Sequence, residues 1–385
     1  MLLDITSDQD FLQETTRKYI EAECAVATIR ALRHDSAGFD PEYWRRGAEL
    51  GWTSLLVAEA DGGGSVSGSG LLDLTLIAHE FGRHAAPGPL LSCGVVAGAL
   101  SRWGTAEHKE SVLPGLMAGT TVASWAHAEP PPHHRLGEVR LEAARRGGDV
   151  VLNGTKGPVE AGAQAAYLLV SGLLEGRLTQ FLVPATAAGL SIHPLQSLDL
   201  TRRFARVTFD DVVVPASAAV GTPGGAAPQI EELLRLGLAI QLAETAGAMD
   251  AAFTMALEWA FSRYTFGRPL ASYQELKHRF ADMKTWLEAS HAIAGRVALA
   301  VQDGDDDAGE LASIGKSYIG SYGPELAQDC VQMHGGIGVT FDHDLHLFLR
   351  RITVNRALLG TPTEHRDRLV GVLESHLGDP GEAIR

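Results

Sequence analysis

Cysteine is scarce in this chain. There are three in 385 residues. Cys24, Cys93 and Cys330 lie far apart and in no metal-ligand spacing, so buried free thiols in a reducing compartment are expected. Positive charge is also short. Lys and Arg number 32 against 47 Asp and Glu, for a net charge of −15, whereas a nucleic-acid surface needs clustered Lys and Arg. No apolar run is long enough to span a bilayer, and the opening MLLDITSDQDF lacks the basic and apolar regions of a signal peptide. The expectation is a cytoplasmic protein with neither nucleic acid nor membrane as partner. The glycine-rich LLVAEADGGGSVSG is weak as a phosphate loop, because no Lys-Ser/Thr pair follows it. No internal repeat or low-complexity segment is seen.

What remains is an ordinary globular composition, 45% apolar and 21% charged, in a chain too long for one hydrophobic core. Residues 1–120 carry helical periodicity, with amphipathic runs around Phe11 and Trp44 and a stop at Pro87-Gly88-Pro89. Residues 121–221 switch to short β-rich runs (VASWAHA, VVLNGTK, AYLLVSG, TQFLVPA, RVTFDDVVVPA) bounded by Gly, Pro, Asp or Asn. Asn153-Gly154 signals a tight turn. Helical periodicity returns over 222–385. Its first helix is apolar on more than one side, the mark of a helix buried between neighbours. The end of the chain, 370–385, is expected to fray. The predicted fold is α+β: a helical N-terminal domain (1–120), a central antiparallel β domain (121–221) and a C-terminal four-helix bundle (222–385).

The most unusual chemistry is concentrated in VQMHGGIGVTFDHDLHLFLRR, Val331 to Arg351. Gln332 offers both donor and acceptor, and Gly335 and Gly336 let backbone approach a bulky ligand with no Cβ in the way. A helix–loop–helix whose loop touches a cofactor is expected here. His343 and His346 have the spacing of a metal pair, but no third ligand is evident. The acidic Asp303–Glu310 run reads as a solvated turn.

This stretch resembles the signature of the acyl-CoA dehydrogenase family, in which a Q-x-H-G-G-x-G run reaches the FAD of a neighbouring subunit. A second stretch, Arg263 to Met283 (RYTFGRPLASYQELKHRFADM), is similar to that family's R-x-x-F-G-x-P…F-Q…H-x-x-A-D-M run. L-G-W, A-D-G-G-G and E-F-G-R in the N-terminal third and Val207–Pro215 in the β region extend the resemblance over nearly the whole chain. It implies FAD as cofactor and an acyl-CoA thioester as substrate, with electron-transfer flavoprotein as acceptor. It assigns cofactor contacts to Arg263, Phe266, Gln274, Gln332, Gly335, Gly336, Thr361 and Glu364.

The resemblance breaks down where the reaction needs it. The family's base is a glutamate before a Gly-Thr pair; here that pair is Gly360-Thr361 and Leu359 precedes it. A minority of the family places the base on the first helix of the C-terminal bundle, a position that falls on Gly237. Glu231 and Glu232 lie more than a turn away and suit helix N-terminal charges. The family's flavin loop T-E-P-x-A-G-S-D reads AHAEPPPHHRLG here, Ala126 to Gly137. Glu129-Pro130 survives, but Pro131, Pro132, His133 and His134 replace small residues, and proline has no N–H to donate. After Lys156 the aromatic-Ile-Thr run is replaced by Gly157, Pro158, Val159 and Glu160, which puts a carboxylate where a hydroxyl would meet the flavin. No catalytic residue is therefore assigned.

Three functions fit these residues. The first is a non-catalytic subunit that completes the FAD site of a related, Glu-bearing chain. This is how the family's heterotetramers for steroid side chains and other bulky acyl groups divide the work. The second is a self-sufficient homo-oligomer with a displaced base, Glu160 or Asp342. The third is a non-enzymatic protein that binds CoA thioesters or serves assembly.

Overall fold

The structure is a computed structural model that describes residues 5–131 and 135–377. Six helices come first: α1 (Ser7–Glu23), α2 (Val26–Ala31), α3 (Pro41–Glu49), α4 (Gly70–Arg83), α5 (Leu90–Trp103) and α6 (Ala106–Met117). Their starts are written in the sequence. Thr6 and Gln9 form a reciprocal capping box on α1, and Asp40 caps α3 just before Pro41. Leu12, Thr16 and Ile20 of α1, four residues apart, are buried, and Thr16 Oγ1 accepts from the buried indole of Trp52 at 3.1 Å.

Strands β1 (Ala123–Ala126), β2 (Glu142–Arg146), β3 (Asp149–Glu160), β4 (Tyr167–Leu174), β5 (Arg177–Pro184), β6 (Leu190–Leu195), β7 (Phe204–Pro215) and β8 (Ala219–Val220) follow. They form one sheet in the order β6-β7-β3-β2-β4-β5-β8, with β1 also on β4. The alternating residues Leu152, Val170, Phe181, Val183, Val207 and Phe209 build its core. The pairing is antiparallel except that β1 and β2 both run parallel to β4, so the sheet is mixed. The cause is an interruption. β1 pairs with Tyr167–Val170, β2 with Leu173 and Leu174, and the chain between them leaves the edge of β4 and returns. Asn153-Gly154 is not a turn either. It lies inside β3 at a register shift, where the Asn153 side chain exchanges hydrogen bonds with Asp211. The extra residue of a bulge uses the same conformational freedom as a hairpin turn, and the β2–β3 turn instead falls at Gly147-Gly148.

The excursion between β1 and β2 is tied at both ends by one buried carboxylate. Glu129 Oε1 accepts from the backbone N–H groups of Arg140 and Leu141 at 2.8 and 3.0 Å and from Lys156 Nζ at 2.7 Å. Lys156 is fully buried and also donates to His127 O. Burial pushes its pKa down to about 8.

From residue 227 the chain is helical again, with α7 (Ala227–Ser262), α8 (Gln274–Asp303), α9 (Ala308–His334), α10 (Leu345–Ala357) and α11 (Pro362–Leu377), and a small hairpin, β9 (Tyr264–Thr265) and β10 (Arg268–Pro269). α7 runs for 36 residues and is buried on nearly all sides in its middle, as its apolar composition predicts. α8, α10 and α11 all pack on α9. By packing, residues 78–85 and 238 onward form one compact unit, and 5–77 with 86–237 another. Among the described residues no helix is long and apolar enough to cross a membrane. The tail expected to fray lies partly in α11; residues 378–385 fall outside the described residues.

The Glu129 tie makes a test. Burial opposes its charge, but Lys156 and the two N–H groups outweigh burial and hold its pKa below the usual carboxylate range. A carboxylate depressed in the folded state binds fewer protons there than in the unfolded chain. Its contribution is therefore whole above the ordinary value of 4.5 and fades as pH falls through the folded one. Glu129→Gln, which strands a buried ammonium, is expected to destabilise by about 3–5 kcal/mol at neutral pH. The gap to wild type should narrow in acid. Urea melts of both proteins across that range check it, and a gap independent of pH would count against the tie.

Candidate cofactor-facing site

The hairpin carries two of the expected contacts. Helix α7 ends at Ser262, and Leu270 N donates to Arg263 O at 2.9 Å, closing β9 onto β10. Its two-residue turn is Phe266-Gly267, with φ of +52° and +80°. Positive φ at both positions is the type I′ pattern, normally filled by Asn-Gly. A phenylalanine there is strained, and its ring is 93% exposed. Tyr273 stiffens the base of the hairpin. Its hydroxyl donates to Thr265 O at 2.7 Å, and the Arg268 guanidinium lies 3.9 Å over its ring.

The end of α9 carries the next three. Gln332, Gly335 and Gly336 are exposed. Gly335 has φ +65° and ψ −141°, a region closed to residues with a Cβ. Gly336 needs no positive φ, and a Cβ there would meet nothing within 4 Å. Nothing among the described residues explains that glycine. Gly338 differs, since a Cβ there would press on Val331 O at 2.7 Å. The hairpin and this loop are joined through one indole. The Arg263 guanidinium stands 5.8 Å from the Trp259 ring, and Trp259 stacks on His334 at 5.4 Å, the residue just before Gly335. Phe261, Tyr264, Phe266, Ile337, Val339 and Phe341, on these same segments, are all exposed large apolar side chains.

The other expected contacts make local bonds. Gln274 is exposed, and its amide lies 2.9 Å from His278 Nε2. Thr361 and Glu364 bond to each other. Glu364 Oε2 accepts from Thr361 N and Oγ1, and Glu364 N donates back to Thr361 Oγ1. This is a capping box on α11, with Pro362 at the first helical position. The T-P-T-E run carries that signature in the sequence, and it gives Glu364 a local task. His343 and His346 belong to no group of three metal-ligating side chains among the described residues. His343 packs on His334 and Trp259 and accepts from Leu345 N, while the buried His346 lies against Phe341.

Leu359 stands at the strained corner between α10 and α11, with φ +57°. The corner is clamped. Lys316 Nζ donates to Leu358 O at 2.7 Å, and His365 Nε2 lies 2.9 Å from Leu359 O. Gly237 is buried in α7. Of the neighbouring carboxylates, Glu232 pairs with Arg102 at 3.1 Å. Glu160 is no more available. Arg202 Nε donates to its Oε1 at 2.7 Å, and both side chains are largely buried. Asp342 sits in the turn before α10 and has contacts of its own. In the excursion after β1, His127 stacks on Trp125 and shares a 3.0 Å bond with Ser171, and burial, with Lys156 adding to it, pushes the pKa of His127 down to about 3. Pro132, His133 and His134 lie outside the described residues.

The sequence did not flag Arg202 as Glu160's partner. It also gave no sign that Arg351 is buried on Glu244 at 2.7 Å, because a long-range ion pair has no local spacing.

Comparison with known proteins agrees with this geometry. Residues 6–120 match the acyl-CoA dehydrogenase N-terminal domain, and residues 229–371 the acyl-CoA dehydrogenase C-terminal domain. The chain is 27% identical to acyl-CoA dehydrogenase IpdE2 of Mycobacterium tuberculosis, over 94% of this chain and 96% of that protein. Among solved structures it resembles a Tcur3481-Tcur3483 steroid ACAD variant at 27% identity and a TM-score of 0.86, covering 96% of this chain and 99% of that one. It also resembles the ChsE4-ChsE5 complex of Mycobacterium tuberculosis at 25% identity and a TM-score of 0.86, covering 97% and 99%. With both domain models matched in order and relatives aligned from end to end, the chain belongs to the acyl-CoA dehydrogenase family.

Proposed function

We propose that this chain is a base-lacking subunit of an FAD-dependent acyl-CoA dehydrogenase that completes the flavin site of a related, Glu-bearing chain. The observation that carries it is a division within the molecule. Leu359 and Gly237 occupy both base positions, and neither can accept a proton. Meanwhile Arg263, Phe266, Gln332, Gly335 and Gly336 stand exposed beside open space. Loss of a general base costs about 10²–10⁴ in rate.

The two ends of a flavin dinucleotide fare differently against these residues. Arg263 offers a rigid fork suited to a pyrophosphate, and the Gly335-Gly336 backbone leaves room for it. Phe266 presents an aromatic face on a stiff hairpin. At the ring end, Glu160 stands where the resemblance implies a hydroxyl facing the flavin and is held by Arg202, so this position does not suit the chain's own flavin. The bound cofactor would supply the hydride acceptor; this chain would supply orientation and close the site against water. Two similar structures are a steroid ACAD variant and a two-component complex. They favour a bulky, steroid-type acyl-CoA as substrate, and the family resemblance points to electron-transfer flavoprotein as acceptor.

Made alone, the chain is expected to carry little flavin and to oxidise no acyl-CoA. Co-expression with a related chain that has Glu-Gly-Thr should yield a yellow complex. Arg263→Ala should lower its flavin content without changing the melt of the isolated chain. Phe266→Asn, which relieves the turn, should raise the stability of the isolated chain by about 1 kcal/mol and weaken the complex. Thermal melts, flavin spectra and co-purification measure these. Near one FAD per chain in the protein made alone would overturn the reading.

Leu359→Glu is expected to create no activity in the isolated chain with added FAD and an artificial acceptor. A carboxylate there would lack a hydride acceptor, and desolvation would keep it protonated. Robust turnover by that variant would mean that this chain holds a working flavin site of its own.

A further inference from the structure

Away from the hairpin and the glycine loop, three side chains with metal-ligating atoms meet in the unit formed by residues 78–85 and 238 onward. His79 comes from α4, Asp250 from α7 and His291 from α8. His79 Nε2 lies 3.0 Å from Asp250 Oδ2, and His291 Nε2 lies 3.2 Å from Asp250 Oδ1. The ligand atoms of all three fall within 4.8 Å of one another. We propose that His79, Asp250 and His291 bind one divalent transition-metal ion of the zinc class.

The donor set is the first argument. Two imidazoles and one carboxylate are ligands that zinc takes, with the fourth position left to water. Bond lengths of about 2.0–2.2 Å in a tetrahedron put neighbouring ligand atoms roughly 3.3 Å apart. The two imidazoles meet different oxygens of Asp250, at 3.0 and 3.2 Å, and one ligand atom from each residue lies within 4.8 Å of the others. The side chains would turn to close on an ion.

The surroundings are the second. His79 Nδ1 lies 3.5 Å from Glu80 Oε1. A carboxylate behind a ligating imidazole fixes its tautomer and turns the other nitrogen to the metal. His291 is buried, and its Nδ1 meets no hydrogen-bonding group among the described residues. Its Nε2 faces the cluster, 3.2 Å from Asp250 Oδ1.

The third argument is rigidity. A Cβ on Gly82 would lie 1.8 Å from Glu244 O, and one on Gly247 would lie 2.0 Å from His79 O. Helices α4 and α7 thus touch backbone to backbone. His79 is three residues before Gly82 and Asp250 three after Gly247, so both ligands sit one turn from a fixed contact. The side chain of Asp250 keeps 20% exposure, which leaves an entry route.

The test uses the whole chain after treatment with a chelator. Cobalt(II) titration should give a visible ligand-field spectrum saturating at one ion per chain, displaced by zinc, and zinc should raise Tm. Glu80→Gln should weaken binding about 10–100-fold, and His291→Gln should abolish it. His193→Ala, at an exposed histidine of the sheet, should leave it unchanged. A wild-type chain that shows no cobalt spectrum and no shift of Tm with zinc would overturn the proposal, whatever the variants do. Binding that survives in a folded His291→Gln protein would overturn it too.

Discussion

Two glycines decide how closely α4 and α7 approach, and much of the C-terminal unit is arranged around that contact. With no Cβ at Gly82 or Gly247 the backbones meet directly, which carries Glu244 into the interior. A carboxylate so placed must be paired. Arg351 of α10 meets its Oε1, and Asn355 Nδ2, one turn on, donates to Oε2 at 3.0 Å and to Thr245 Oγ1 at 3.1 Å. Asn355 O and Leu358 O in turn accept from the buried Lys316, which also donates to Gln241. The helices are therefore registered by a chain of satisfied polar groups as well as by apolar burial. Such a network is costly to leave half made.

That rigidity explains how strained backbone survives at two exposed or half-exposed places. Phe266 and Leu359 both hold left-handed φ without being glycine, at roughly 1–2 kcal/mol each. Leu359 sits directly after the carbonyl held by Lys316, and the Phe266 turn is framed by the Tyr273 bond and the Arg268 stack. Strain of this kind persists only where the surroundings over-determine it.

The local features were legible in the sequence. Helix starts at Thr6 and Asp40, the glycine that ends α9 and the switch from helical to strand periodicity all rest on chemistry within a few residues. Other features were legible in kind and misplaced in role. Asn153-Gly154 announces unusual backbone but not whether a turn or a bulge uses it. Thr361 and Glu364 also carry the spacing of a capping box, a local role that the sequence analysis did not name. The parallel pairings on β4 and the partners Glu160–Arg202 and Glu244–Arg351 join residues far apart in the chain, and nothing local encodes them. The His79–Asp250–His291 cluster was invisible for the same reason, since its members come from three helices.

The interrupted edge of β4 has a consequence for how this protein can change over time. Because Glu129 and Lys156 seal the base of the excursion, the sheet's register is settled before the excursion begins and resumed after it ends. The ten residues between Glu129 and Arg140 can lengthen, shorten or change chemistry while the strands on either side keep their pairing. A descendant could lose or recover ligand contacts there by small insertions or deletions, without first passing through an unfolded intermediate. The scaffold and the loop it displays are in this sense separately heritable.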